Sequence, residues 1–131
     1  MLDRLVYVSR RRSDEDGQIA EIEAVSRRNN ARDGLTGALV HDERLFLQLL
    51  EGEHAAVARC FLRLSLSPLH GEIEILAFAR QELRLFGDWS MRLVSAKGRT
   101  PSLAALVRRL RAAPEAERMA RADALFLDLC D

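Results

Sequence analysis

Cysteine is nearly missing from this sequence: Cys60 and Cys130 are the two in 131 residues. They stand far apart and without metal-ligand spacing, which excludes a disulfide framework and a zinc site and fits a reducing compartment. Charge of one sign is missing as well. Twenty basic and twenty acidic residues cancel, with no long block of either, so the electrostatic footprint of a nucleic-acid or membrane-surface binder is absent. No apolar stretch approaches the roughly 18 residues of a membrane span, and the N-terminus starts on a strand-like segment with no charged-then-apolar leader. The expectation is a soluble, cytoplasmic protein without nucleic-acid or membrane partners. Internal repeats, low-complexity segments, a Gly-rich dinucleotide fingerprint and a nucleophile motif are absent too. What remains, with hydrophobic residues at 48%, suffices for one domain with one core and not for two.

The most apolar stretch runs Leu45-Phe46-Leu47-Gln48-Leu49-Leu50-Glu51-Gly52, interrupted once by an amide. Its length and its charged and glycine borders read as a strand buried on both faces. Alternation places Phe46, Gln48 and Leu50 on one face and Leu45, Leu47 and Leu49 on the other. Gln48 therefore lies inside with four hydrogen-bonding positions to satisfy. An unpaired buried amide costs about 1–3 kcal/mol, so a polar partner is required, either backbone and water, the ordinary structural case, or a ligand.

Leu2 to Ser9 is β-branched and aromatic and reads as the first strand, with Leu5, Tyr7 and Ser9 on one face and Val6 and Val8 on the other. Beyond the charged connection Arg10 to Gly17, where Ser13 or Asp14 is placed to cap, a helix carries Ile19, Ile22, Ser26 and Asn30 at i, i+3, i+7 and i+11, with Asn29 beside them. Polar residues thus extend a stripe that isoleucines begin, and they either satisfy themselves against backbone or face a polar ligand. Asp33-Gly34 ends the helix. Leu35 to His41 is a second strand, and Asp42-Glu43-Arg44 turns into the third. Val57, Phe61 and Leu64 form the apolar face of a second helix ending near Pro68. His70 is expected in the following loop as an ordinary solvated histidine. Ile73 to Ala79 and Trp89 to Ser95 read as the fourth and fifth strands, with Trp89, Met91 and Leu93 on one face and the first two core filler by default. Leu103, Leu106, Val107 and Leu110 make a third helical stripe, and Met119, Ala122, Phe126 and Leu129 a fourth after Pro114.

This order predicts an α+β fold, ferredoxin-like β-α-β-β-α-β-β with a mixed five-stranded sheet, in which the first and third strands are parallel central neighbours and two helices cover one face. Val6, Val8, Leu45, Leu47 and Leu49 make the opposite face apolar, and the two C-terminal helices are expected to cover it. Lys97 to Pro101 is the expected hinge between residues 1–96 and 97–131.

These residues resemble a family, the BLUF domains, blue-light sensors that bind flavin adenine dinucleotide (FAD). The resemblance rests on LVYVS (Leu5 to Ser9), SRRNN and GLTG (Ser26 to Asn30, Gly34 to Gly37), FLQLLEG (Phe46 to Gly52), His70 and FGDWSM (Phe86 to Met91), in matching order and spacing over residues 1–96. It implies non-covalent FAD, with Tyr7 as electron and proton donor to the excited flavin and Gln48 as the amide between that phenol and the N5 and O4 edge of the ring. Asn30 is implied to hydrogen-bond the ring, with Ser26, Asn29, Arg27 or Arg28, and His70 nearby, and Trp89 and Met91 as the pair that relays the signal. In the family the loop before this histidine often reads aspartate, any residue, arginine, histidine. Here Ser67-Pro68-Leu69-His70 lacks the acid and the arginine, so contacts from those two side chains are not implied.

The expected function is a blue-light photoreceptor and not an enzyme, with Gln48 exchanging the donor and acceptor it presents to flavin and phenol by rotating or tautomerising. A flavin enzyme would need a substrate pocket at N5 or an acid-base pair, and Glu51 and Asp88 stand isolated. A flavin-free ferredoxin-like interaction domain would leave Tyr7, Gln48 and Asn30 without a shared ligand. Because two helices follow the sheet and no cyclase, phosphodiesterase or DNA-binding domain does, the expected output is protein–protein contact through residues 97–131, in a homodimer or larger homo-oligomer and with a downstream protein partner.

Overall fold

The computed structural model describes residues 1–13 and 16–131, so Asp14, one of the two expected helix caps, lies outside the described residues. The strands are β1 (Leu2–Arg11), β2 (Thr36–His41), β3 (Leu45–Gly52), β4 (His70–Gln81) and β5 (Arg92–Ser95); the helices are α1 (Asp16–Asp33), α2 (His54–Ser65), α3 (Leu103–Ala112) and α4 (Glu115–Leu129). The sheet order is β4-β1-β3-β2-β5, the ferredoxin-like arrangement with β5 added at one edge. β5 pairs parallel with β2, and the other pairings are antiparallel. The sheet is mixed as expected, but β1 and β3 are antiparallel neighbours, not parallel ones. The reason is topological. The α1 crossover brings β2 back parallel to β1 one place further out, and the tight turn at Asp42 then reverses the chain into the gap between them. Asp42 makes that turn by accepting at Oδ1 from the backbone N–H groups of Arg44 and Leu45, both at 2.8 Å.

Strand alternation sorts the core into two layers. Val6, Val8, Ala38, Val40, Leu47 and Leu49 bury against Leu103, Val107 and Leu110 of α3 and Met119, Ala122, Phe126 and Leu129 of α4. Leu5, Tyr7, Leu39, Phe46 and Leu50 point the other way, where α2 supplies Ala56, Val57 and Cys60 and α1 the half-buried Ile19 and Ile22. The two helices of this second layer differ. Apolar anchors repeat at helical spacing in α2, whereas on α1 serine and asparagine take over the inward stripe. Asn30 is consequently the one fully buried residue among the described residues of α1.

Two expected boundaries move, both at the future site. β4 starts at His70, which pairs with Arg11 and is 5% exposed, so it is a buried strand residue and not a solvated loop histidine. Burial is tolerated because both ring nitrogens have partners, Nδ1 with Ser9 Oγ at 2.6 Å and Nε2 with the Leu64 carbonyl at 2.7 Å. β5 starts only at Arg92, where pairing with Ala38 of β2 begins. Trp89 lies in the connection before it, 47% exposed, with its ring 5.3 Å from the Arg92 guanidinium. It neither fills the core nor shares a strand face with Met91, which is buried. Gly37 explains one motif glycine, since a β carbon there would fall 2.0 Å from the Leu49 carbonyl oxygen.

Candidate functional site

Register alone brings the central pair together. Tyr7 on β1 is directly opposite Gln48 on β3, and Gln48 is directly opposite Leu39 on β2. Residues opposite one another on adjacent antiparallel strands share a face. The Tyr7 hydroxyl donates to Gln48 Oε1, and Gln48 Nε2 faces the Met91 sulfur at 3.9 Å. On the β4 side the pairing slips by one residue between Val6 and Tyr7, an irregularity of the kind that re-aims a side chain next to a site. Phe61 meets the Tyr7 ring edge-on at 5.8 Å.

These side chains line a cavity of about 40 Å³ with Ile22 and Ser26 of α1, Leu39 and Phe46 of the sheet, and Leu64, Ser67, Leu69 and His70. Its walls are apolar and its polar groups few: an amide, a phenol, two hydroxyls and an imidazole. Asn30 stands at the end of α1, donating from Nδ2 to the Ser90 carbonyl at 2.8 Å. Burial pushes the Tyr7 phenol far above its ordinary value, with a smaller push from Cys60. The group is thus a neutral donor at every physiological pH.

Of the expected site residues, the structure brings Tyr7, Ser26, Gln48 and His70 to the cavity, with Met91 and Asn30 adjoining. Arg27 and Arg28 are exposed on α1, where Arg27 pairs with Glu23 at 3.1 Å, and Asn29 is half-buried. Trp89 is outside. Sequence reasoning missed Ser9 as the partner of His70, although strand alternation had already put it on the Tyr7 face. It also missed Glu51, which is buried and not isolated; a carboxylate inside an otherwise apolar strand was the available signal.

A sequence profile described as BLUF, sensors of blue-light using FAD, matches residues 2–92. The chain belongs to the BLUF family. Photoactivated adenylate cyclase subunit beta of Euglena longa is 30% identical over 94 residues, 70% of this chain and 11% of that protein. This BLUF chain therefore spans about a tenth of the length of the curated relatives it matches. Among solved structures, BlrB, a BLUF protein in its dark state, is similar at a TM-score of 0.76 and 33% identity, covering 94% of this chain and 92% of that one. Klebsiella pneumoniae BlrP1 with FMN and cyclic diGMP is similar at a TM-score of 0.73 and 25% identity, covering 98% of this chain and 35% of that one. In this BLUF domain Ser67 and Leu69, at the positions where the family often has its acid and arginine, line the cavity themselves.

The donor set fits a flavin. A planar heteroaromatic ring with an acceptor edge and apolar faces matches an amide, a phenol and the Ser26 hydroxyl set among Ile22, Leu39 and Leu64. The cavity, at about 40 Å³, is far smaller than the roughly 300 Å³ at the lower end of small-molecule sites, and α1 is the wall with the fewest buried residues. Among the described residues, no group of three or more His, Cys, Asp or Glu is placed to hold a metal ion, and no helix is long and apolar enough to cross a membrane.

Proposed function

We propose that the chain is a blue-light photoreceptor that holds FAD non-covalently between α1 and the sheet and signals through Tyr7 and Gln48. The observation that carries the reading is the buried series from the Tyr7 hydroxyl to Gln48 Oε1 and from Gln48 Nε2 to the Met91 sulfur. Bound there and photoexcited, a flavin would supply a one-electron acceptor with a basic nitrogen. Tyr7, kept protonated by burial, is the side chain that would donate an electron and its proton and recover both. Gln48 is the element that stays changed. Its amide presents a carbonyl to the phenol and an NH₂ group to a thioether, and a thioether is a weak acceptor. Rotation or tautomerisation of the amide therefore gives up little on the Met91 side while reversing what the phenol meets.

Asn30 and Ser26 hold the ring from α1, His70 closes the far wall, and Asn29, Arg27 or Arg28 contact the remainder of the dinucleotide. Residues 1–96 are the sensor and residues 97–131 the output cap, which works by protein–protein contact in a cytoplasmic homodimer or larger homo-oligomer with a downstream protein partner. The chain itself turns over no substrate. The test is visible absorbance of the purified protein reconstituted with FAD. A yellow protein whose spectrum shifts slightly and reversibly to the red under blue light is expected, and protein that retains no flavin would sink the reading. Lasting flavin reduction that consumes an added substrate would point to a flavin enzyme instead.

A further inference from the structure

Glu51 is the second polar side chain that β3 buries, on the opposite face from Gln48. It is 1% exposed and its carboxylate is saturated. Oε1 accepts from Phe86 N at 2.6 Å and Thr36 Oγ1 at 2.9 Å, and Oε2 from Leu85 N at 2.8 Å and Arg4 Nε at 3.3 Å. Arg4, opposite Glu51 on β1, extends the cluster to α4. Its Nη1 donates to Asp123 Oδ2 at 2.7 Å and its Nη2 to the Leu83 carbonyl at 2.8 Å. The Phe86 ring meets Phe126 of α4 edge-on at 6.5 Å. One end of the β4–β5 connection is thus fixed to β3 and α4 on the α3/α4 side of the sheet.

The other end of the same connection lies at the Tyr7–Gln48 site. Trp89 N donates to the Phe86 carbonyl at 3.0 Å, closing a turn, and Gly37 N donates to the Trp89 carbonyl at 3.2 Å. Ser90 is held by Asn30, and Met91 by Gln48. The segment passes round the sheet from one layer to the other with buried polar side chains gripping both ends. A route from Met91 to α4 therefore exists that avoids β5 and the exposed linker after it, where Gly98 takes φ +75°.

We propose that Glu51 and Arg4 are positioning residues that hold residues 83–91 as one body between Gln48 and α4. The place of Met91 against the Gln48 amide then depends on α4, and the position of α4 depends on the amide. This rests on the photosensor reading above. Coupling of this kind acts in both directions. The link that gives is Arg4–Asp123, because Asp123 Oδ1 is buried without a partner whereas Glu51 has three other donors.

The test uses the full chain loaded with FAD, comparing wild type with Asp123→Asn and Phe126→Leu, neither of which lines the cavity. Dark-recovery rate after blue light and hydrogen exchange of residues 115–129 in dark and light are measured well below the melting temperature. Both variants should form the red-shifted state, recover at a rate altered by at least about two-fold, the lower end of what mutations along a coupling network produce, and show a smaller light-dependent change in α4. Glu51→Gln should alter recovery more, and Arg4→Lys, whose single ammonium cannot hold Glu51, Asp123 and the Leu83 carbonyl together, at least as much as Asp123→Asn. Variants with lowered melting temperature but wild-type recovery and exchange would overturn the proposal, since that is the signature of a merely structural cluster. A wild type that forms no red-shifted state would instead overturn the photosensor reading, and the positioning role with it.

Discussion

The two faces of the sheet are built from the same five strands, and they solve opposite problems. On the α3/α4 face, Val6, Val8, Leu47 and Leu49 meet apolar stripes from both helices, and most of that layer is closed and apolar. On the α1/α2 face, the strands turn Tyr7, Ser9 and Gln48 inward, α1 adds Asn30, and a cavity lined by Tyr7 and Gln48 remains. Position within a single strand decides which: in β3, Leu47 and Leu49 stabilise, while Gln48 between them is available for chemistry. Under the proposed function, stability and switching are assigned to opposite faces. A change on one should be large in folding and small in spectrum, and a change on the other the reverse.

The hardest way to break this division is to remove the closed layer. Truncation after Arg99 uncovers Val6, Val8, Leu47 and Leu49, and with about 1.5–3 kcal/mol for each large side chain re-exposed the loss is comparable to the whole stability of an ordinary domain, about 5–15 kcal/mol. Aggregation or loss of the monomeric fold, seen by size-exclusion chromatography and circular dichroism, is expected. A milder form is Phe126→Ala, which empties a fully buried site and should lower unfolding free energy by about 3–5 kcal/mol in denaturant titration. Ile22→Ala on the half-buried face of α1 should cost clearly less.

The open face sharpens the comparison in the other direction. Asn30→Ala removes the buried anchor of α1 and should weaken flavin retention, measured by dialysis or equilibrium titration, with little change in the fold of the flavin-free protein. Tyr7→Phe removes a hydroxyl and its hydrogen bond, about 0.5–1.5 kcal/mol, yet should abolish the normal red-shifted state.

The smallest effect is a pH signature. The chain has one tyrosine, so tyrosinate absorbance reports Tyr7 alone. Burial raises its folded value above the ordinary 10.0. Below that ordinary value both folded and unfolded chains keep the proton, and no slope arises. Above it the unfolded chain loses a proton that the folded chain keeps, so stability should fall by up to about 1.4 kcal/mol per pH unit. Tyrosinate absorbance should appear only with unfolding, and Tyr7→Phe should lack this slope.

Much of this was legible in the residues. Alternation in LFLQLL and LVYVS assigned each of those residues to its correct face, and the stripes at Leu103–Leu110 and Met119–Leu129 named the helices that cover one of them. What stayed hidden depended on pairing between distant segments. The direction of β3 follows from which gap it fills, and nothing in its own residues records that. His70 looked solvated because Ser9, the partner of its Nδ1, is remote in sequence, and because the nearby Leu64 carbonyl that takes its Nε2 is a backbone group that side-chain patterning does not show. Trp89 read as a strand residue because aromatic propensity is local, whereas the β4–β5 connection is held by Glu51, Thr36, Gly34 and Gly37 from elsewhere in the fold. Arg84 illustrates this, bonding Thr36 Oγ1 and the Gly34 and Glu51 carbonyls across more than thirty intervening residues.

The central claim is that the Gln48 amide is the switch, and one measurement tests it most directly. Light-minus-dark visible absorbance would be recorded on wild type and Gln48→Leu at equal flavin occupancy. Leucine preserves approximate volume in a buried site while removing both donor and acceptor. The account predicts a small, fully reversible red shift in wild type and none in Gln48→Leu, with flavin retained in both. A full-sized reversible shift in Gln48→Leu would contradict it.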